Sequence, residues 1–459
     1  MTLKQNDIIT TVISDYGING EGIAKHQGIV VFVPYALKGE KVKIKLNHIK
    51  KNFAYATLIE IIQSSNNRIK PDCNRFLKCG GCNLSHISYN EQLEIKKQAL
   101  ITTLKKNTGK DLYVKDIVAS PNIFGYRNKV QLPFGTVNNK VSVGFFRENS
   151  HKIVSITKCF LHGDWLEKLI RIILDFANKY NLTVYNEDRQ KGLLRHLVAR
   201  FIDENLCVVL VINGNKIPHV NELSDKLQKA FQYLSLYLSV NRDKTNVIMG
   251  KELIPVIERP FIIDILGIKA EINPLSFLQV NNRIRDLIYT EVIKKTIDSD
   301  MVIDAYSGIG LLGAVLAKNG VEKVYNIEII PEAIEDARRL AENNGLNNVF
   351  NILGDAAIEL PKLINSIMDN QSKENDSLKR KISIILDPPR KGVSQTIIEA
   401  LNSIEYPINL IYISCNPATL SRDLSLLTKS DNYSIISITP YDMFPQTKHV
   451  ECVVLMSRL

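Results

Sequence analysis

The C-terminal third of the chain alternates short apolar runs with helical patterns, and this alternation narrows the fold more than any other feature. The runs are "MVIDAYSG" from Met301, "KVYNIEI" from Lys323, "VFNILGD" from Val349, "ISIILDPP" from Ile382, "NLIYISCNP" from Asn409 and "VECVVLMSRL" from Val450. A helix ending at Lys318 and another in "PEAIEDARRLAENNG" separate the first three. Near-continuous apolar strands divided by helices predict a parallel sheet covered on both faces. The stretch "NSIMDNQSKENDSLKRK" interrupts the pattern and reads as a polar surface loop.

At 459 residues the chain exceeds one ordinary core, so two or three domains are expected. Residues 1–62 read as short strands between Gly and Asn turns, the spacing of a small barrel. There Lys41, Lys43 and Lys45 alternate with Val42 and Ile44, which makes one strand face basic and the other buried. Such a face suits RNA, although a merely solvated strand face has the same pattern. Residues 63–270 are mixed, with a helix-like segment from Tyr89 to Lys106 and strands such as "KVSVGFFR" and "LCVVLVING". Residues 271–459 form the strand–helix unit.

The composition is that of a globular protein, 45% apolar and 23% charged. The first residues lack a basic-then-apolar signal, and no apolar run is long enough to span a bilayer, so a cytoplasmic protein with no membrane association is expected. A net charge of +10 favours a polyanionic partner such as nucleic acid, and a generally basic surface is the bland alternative. Seven cysteines is an odd number, and Cys73, Cys79 and Cys82 cluster in "CNRFLKCGGC". In a reducing compartment that argues for a metal site or a nucleophile over a disulfide framework.

Several chemistry-bearing residues fall at strand ends. "DAYSGIGLLG" closes a strand and opens a helix, so Gly308 and Gly310 let the backbone turn under a ligand. Glu328 ends the next strand, where a carboxylate can accept both ribose hydroxyls. Asp355 and Asp387 follow the third and fourth strands, and this acidic edge fits an adenosine-type ligand better than a polyphosphate. Cys415 ends "NLIYISC" at the same edge, with Pro417 stopping the strand. A lone cysteine is more often a small core residue than a nucleophile. Glu451 opens the last strand, where a carboxylate can take a proton.

Five motifs in order, "SFLQVNN", "DAYSGIG", "ILDPPRKG", "ISCNPATLSRDL" and "DMFPQTKHVECV", together resemble the RNA uracil-5-methyltransferases, which use S-adenosylmethionine. The resemblance covers essentially the whole chain and is nearest to the dual-specificity members that act on 23S ribosomal RNA. It implies an α/β fold: a C-terminal Rossmann-like class I methyltransferase, an N-terminal OB-like TRAM barrel that binds RNA, and a central α+β domain with an iron–sulfur cluster. It implies Cys415 as the nucleophile and Glu451 as the general base. Gln279, Tyr306, Glu328 and Asp387 match the cofactor-binding positions. Leu311 departs from relatives with Asn after the Gly-x-Gly, and no contact is assigned to it. His449 is given a structural role only.

The same resemblance brings in Cys159 as a fourth ligand beside Cys73, Cys79 and Cys82. Their spacing of five and two residues suits a four-thiolate site, for which zinc and 4Fe-4S are equally possible. The ribosomal RNA members tip the expectation to a structural 4Fe-4S cluster. Cys207 and Cys452 are expected in the core. The implied partner is 23S ribosomal RNA, with no obligatory protein partner and a monomeric state. Three rivals stand beside this: a transfer RNA uracil-5-methyltransferase, a non-catalytic RNA-binding or ribosome-assembly protein, and a radical enzyme built on the cluster.

Overall fold

The computed structural model describes residues 3–147, 150, 152–373, 380–429 and 432–458; within 368–373 it describes the backbone alone. The N-terminal unit is one curled sheet of β1 (Ile8–Val12), β2 (Asp15–Tyr16), β3 (Gly22–His26), β4 (Ile29–Val33), β5 (Lys41–Ile49) and β6 (Phe53–Gln63), in the order β1-β5-β6-β4-β3-β2. The period-two pattern decides its inside. Val42, Ile44 and Leu46 of β5 join Val31, Val33, Ala54 and Ala56 in a small core, while Lys41 and Lys45 stay exposed.

The chain then forms α1 (Tyr89–Thr108) and a second sheet from β7 (Lys129–Val137), β8 (Lys140–Phe146) and β9 (Ile153–Ser155). After α2 (Asp164–Lys179) come β10 (Leu194–Ile202) and β11 (Asn205–Ile212), then α3 (Val220–Ala230), β12 (Tyr233–Val240) and β13 (Glu252–Ile257). The order is β13-β12-β11-β10-β7-β8-β9. One face carries α2 and α3, whose Leu169, Ile173, Leu223 and Leu227 meet Leu197, Val208 and Leu210. On the other face Cys207 is buried as expected.

Two segments expected in this middle region pack elsewhere. Helix α1 lays Leu100 and Leu104 into the core of the C-terminal unit. The hairpin of β14 (Ile262–Ile265) and β15 (Ile268–Glu271) shares a core with Leu311, Ala314 and Val315 further on. Apolar faces of this size need a partner surface, and the C-terminal unit supplies it.

That unit opens with α4 (Asn282–Thr296) and continues β16 (Met301–Asp304), α5 (Leu311–Lys318), β17 (Lys323–Glu328), α6 (Pro331–Asn343), β18 (Val349–Leu353) and α7 (Ala356–Lys373). It closes with β19 (Ile382–Leu386), α8 (Gln395–Ser403), β20 (Ile408–Ser414), α9 (Pro417–Leu427), β21 (Ser434–Tyr441) and β22 (Glu451–Arg458). The sheet order is β18-β17-β16-β19-β20-β22-β21. The stretch from 365 expected as a loop is helical as far as Lys373, because Leu360, Ile364 and Ile367 are spaced to reach the sheet core together. Residues 374–379 of that expected loop lie outside the described residues.

Five strands are parallel as the pattern predicts, but β22 runs antiparallel to both β20 and β21. Sequence order reverses between β16 and β19, and the carboxyl ends beside such a reversal are where open α/β sheets bind ligands.

Candidate active site

The loop after β16 is shaped by its glycines. Gly308 and Gly310 adopt φ of 55° and 71°, the left-handed region. A Cβ at Gly310 would lie 2.9 Å from Asn326 Nδ2 and 3.0 Å from Ala337 Cβ, whereas one at Gly308 would face open space. The first glycine therefore leaves room for a ligand and the second lets the backbone pass close to β17. Glu328 Oε2 accepts from the Gly308 amide at 2.9 Å, and its Oε1 accepts from Ile329 and Ile330 N–H at 2.9 and 3.0 Å. The carboxylate expected on a ribose thus also ties the glycine loop to the end of β17.

Two more carboxyls stand at the centre of the edge. Asp304, the last residue of β16, is pushed up to about 7 by burial and then by the nearby Asp387. Asp387, just beyond β19, is also pushed up to about 7 by burial. Sequence reasoning passed over Asp304, although it ends an apolar strand in the same way as Asp387. Tyr306 is half-buried beside it, its hydroxyl pushed up to about 12 by burial. Gln279 stands in the loop before α4, where its carbonyl accepts from Asn128 Nδ2 at 2.9 Å.

Cys415 lies directly after β20, half-buried. The antiparallel register pairs Ser414 with Cys452 and so brings Glu451 to the same end of the sheet. Burial, then the Glu451 carboxyl, push the Cys415 thiol up, and the Arg390 guanidinium opposes them by charge and by a hydrogen bond to the sulfur. Glu451 is buried, with no hydrogen-bond partner for Oε2 among the described residues. Burial first and Asp387 second hold its carboxyl well above the usual range, against the pull of Arg390. The unpartnered oxygen and the thiol are two reactive groups within electrostatic reach of each other. Asp355, by contrast, caps α7 by accepting from Ala357 N–H at 2.9 Å.

Arg390 is a second residue that sequence reasoning missed; its signal was a cation straight after the double proline of "ILDPPR". Asn416 and Thr419 hold that loop in place, donating to the Arg390 carbonyl at 2.9 and 3.2 Å. Asn416 also caps α9 by accepting from Ala418 N–H at 3.1 Å. His449 packs against the Phe444 ring, and burial together with Arg390 pushes its imidazole down to about 4, so it is neutral near pH 7.

The loop between β21 and β22 is clamped by α1. Lys96 and Asp442 form a 2.6 Å ion pair with both side chains fully buried. Tyr89 donates to the other Asp442 oxygen at 2.8 Å, and Lys96 also donates to the Phe444 carbonyl at 3.1 Å. Gln92 and Gln446 exchange two hydrogen bonds of 3.1 Å. The amides of Asn83 and Leu84 donate to the Gln446 carbonyl, at 3.1 and 3.0 Å, immediately after Cys82.

Cys73, Cys79, Cys82 and Cys159 are all half-buried and free. Burial pushes the Cys82 thiol up to about 11 and the Cys159 thiol up to about 12, and in each case the neighbouring cysteines push further. The four thiols therefore share one neighbourhood. Among the described residues no three His, Cys, Asp or Glu side chains are drawn together closely enough to hold an ion as they stand.

A doubly wound sheet with a glycine loop, an acidic edge and a thiol beside a buried carboxyl at its carboxyl end is the frame of a class I methyltransferase. Comparison with known proteins narrows the class. Residues 88–459 match the model of the tRNA (Uracil-5-)-methyltransferase family, and residues 4–59 match the TRAM domain. An uncharacterized RNA methyltransferase of Clostridium tetani is 37% identical over 99% of this chain and 97% of its own length. One from Bacillus cereus is 34% identical over 100% and 98%. The crystal structure of the Pyrococcus abyssi tRNA (uracil-54, C5)-methyltransferase in complex with S-adenosyl-L-homocysteine superposes with a TM-score of 0.75 at 28% identity, covering 97% of this chain and 99% of that one. The chain belongs to the RNA uracil-5-methyltransferase family, with an N-terminal TRAM domain.

The clamp makes a stability prediction. Replacing Asp442 by Ala strands the Lys96 ammonium in the interior and should cost about 3–5 kcal/mol in urea unfolding. The double replacement Lys96→Met with Asp442→Leu should cost clearly less. Equal losses in the two would mean that the buried charge is not what holds the loop.

Proposed function

We propose that this chain methylates carbon 5 of uridine in 23S ribosomal RNA, with Cys415 as nucleophile and Glu451 as general base. The observation that carries the reaction is the meeting of these two groups at one sheet end. Carbon 5 of uracil is a weak nucleophile, and a thiolate adding to carbon 6 turns the ring into an enolate that is a strong one. S-adenosylmethionine supplies the electrophilic methyl group. Arg390 favours the Cys415 thiolate against its buried surroundings. Once carbon 5 carries the methyl, Glu451 removes the proton there, the ring double bond re-forms, and the carbon 6–sulfur bond breaks. Gln279, Tyr306, Glu328 and Asp387 are assigned to the cofactor. The open space at Gly308 fits that assignment, and so does the position of Glu328 at the end of β17.

The ribosomal substrate rests on the resemblance to the 23S ribosomal RNA members and on the four cysteines. A second reading, transfer RNA, is favoured by the Pyrococcus abyssi enzyme, whose likeness spans too much of this chain to omit the barrel. Mass spectrometry of ribosomal and transfer RNA from a strain lacking the gene decides between them. Loss of 5-methyluridine from 23S RNA, restored by the wild-type gene but not by Cys415→Ala, is the expected result. Loss from transfer RNA alone would establish the second reading, and restoration by Cys415→Ala would remove the nucleophile. Because the Cys415 thiol is held above its ordinary value and attacks as a thiolate, single-turnover methyl transfer should accelerate as pH rises from about 6 to 9. A flat or falling profile would contradict the assignment.

We also propose that Cys73, Cys79, Cys82 and Cys159 hold a structural 4Fe-4S cluster. The donor set fits in kind and neighbourhood: burial and then the neighbouring cysteines push the Cys79, Cys82 and Cys159 thiols up, and a bound cation removes that conflict by favouring thiolates. Through Asn83 and Leu84 the cluster loop would then brace the segment that leads into Glu451. Protein prepared without air should contain about four iron and four sulfide per chain and be brown. About one zinc per chain with no visible absorbance would replace the cluster with a structural zinc site.

A further inference from the structure

Three aromatic rings touch one another on the outer face of the N-terminal barrel. Phe32 of β4 and Tyr55 of β6 are register partners with ring centroids 5.5 Å apart. Phe53, two residues before Tyr55, lies 6.1 Å from Phe32 and 5.6 Å from Tyr55. None of the three belongs to the core, because Val31, Val33, Ala54 and Ala56 alternate with them and fill the inside. Tyr55 is 46% exposed, and Phe32 and Phe53 are half-buried. Such ring pairs add a little stability to a sheet, and the exposed side of the cluster stays available to a partner.

The surroundings are cationic. His48 is the register partner of Tyr55 on β5, and Lys45 is that of Thr57, the next outward residue of β6. On the other side Lys25 pairs with Val30, which pairs in turn with Phe53. The Lys50 amide donates to the Phe53 carbonyl at 2.8 Å, so the exposed turn carrying Lys50 and Lys51 begins beside that ring. Along β6 the outward carboxylate is Glu60, further off and opposite Lys43. Ring faces within a lysine rim are complementary to a strand whose bases are unpaired and whose phosphates run alongside. A duplex is a poor fit, since its base faces are already stacked on one another.

We infer that Phe32, Phe53 and Tyr55 form a stacking platform for unpaired bases of the RNA substrate, with Lys25, Lys45 and Lys50 on the flanking phosphates. The inference rests on the substrate being RNA and not on which RNA it is. It goes beyond phosphate attraction, because it makes single strands the preferred partner.

The test uses the full chain and a labelled single-stranded oligo(A) of about ten nucleotides, read by fluorescence anisotropy. This probe has no uridine, so failure here is separate from failure of the methylation reading. Tyr55→Ala should weaken binding at least about fivefold while leaving the slope of affinity against salt unchanged. Lys45→Ala should flatten that slope by about one, and Tyr55→Trp should bind as wild type does. A hairpin duplex of the same length should bind more weakly and lose nothing on Tyr55→Ala. Wild-type affinity in the Tyr55→Ala and Phe53→Ala variants would overturn the inference. So would a change in sedimentation behaviour with RNA binding intact, which would make the face a contact between copies of the chain.

Discussion

The antiparallel run of β22 beside β20 is the constraint on which the site depends. Had β22 followed the parallel pattern of the other strands, its first residue would lie at the opposite end of the sheet from Cys415. Reversal brings Glu451 to the carboxyl edge, level with the end of β20, and the pairing of Ser414 with Cys452 fixes the register. A slip of one residue would turn Glu451 to the other face of the sheet. The reversal also forces the chain to cross the edge between Tyr441 and Glu451, and the segment that crosses it is clamped on several sides. Lys96, Gln92 and Tyr89 of α1 hold it from below, and the amides after Cys82 hold it from beside. The position of α1 against the C-terminal core, unexpected from its place in the chain, follows from this task.

The electrostatics of the edge suit a cationic ligand. Burial holds Asp304, Asp387 and Glu451 above the ordinary carboxylate range, and the charge of Asp387 adds to it for Asp304 and Glu451. Arg390 offsets part of that for Glu451 and Cys415. A cation bound at this edge would favour the ionised form of Asp387.

Much of this was legible in the sequence, and the exceptions have physical reasons. Gly308, Glu328, Asp387 and Cys415 stood out because each ends a strand or opens the turn after it, and strand ends can be read from apolar runs. The direction of β22 could not be read, since an apolar run looks the same in either direction. Arg390 escaped notice because its importance lies in a contact with Cys415 that is distant in sequence. Lys96 lies in a segment read only as helix-like; its pairing with Asp442, far along the chain, makes it a buried charge. Phe32, Phe53 and Tyr55 read as ordinary strand residues until the register of β4 with β6 set them side by side.

The central claim is that Cys415 bonds to the uracil and that Glu451 is needed to release it. The most direct measurement is denaturing electrophoresis of Glu451→Gln incubated with RNA and S-adenosylmethionine. With the carbon 5 proton left in place, protein and methylated RNA should remain joined through denaturation, and adding Cys415→Ala should abolish the joined species. Free protein with product released at the wild-type rate would contradict the account.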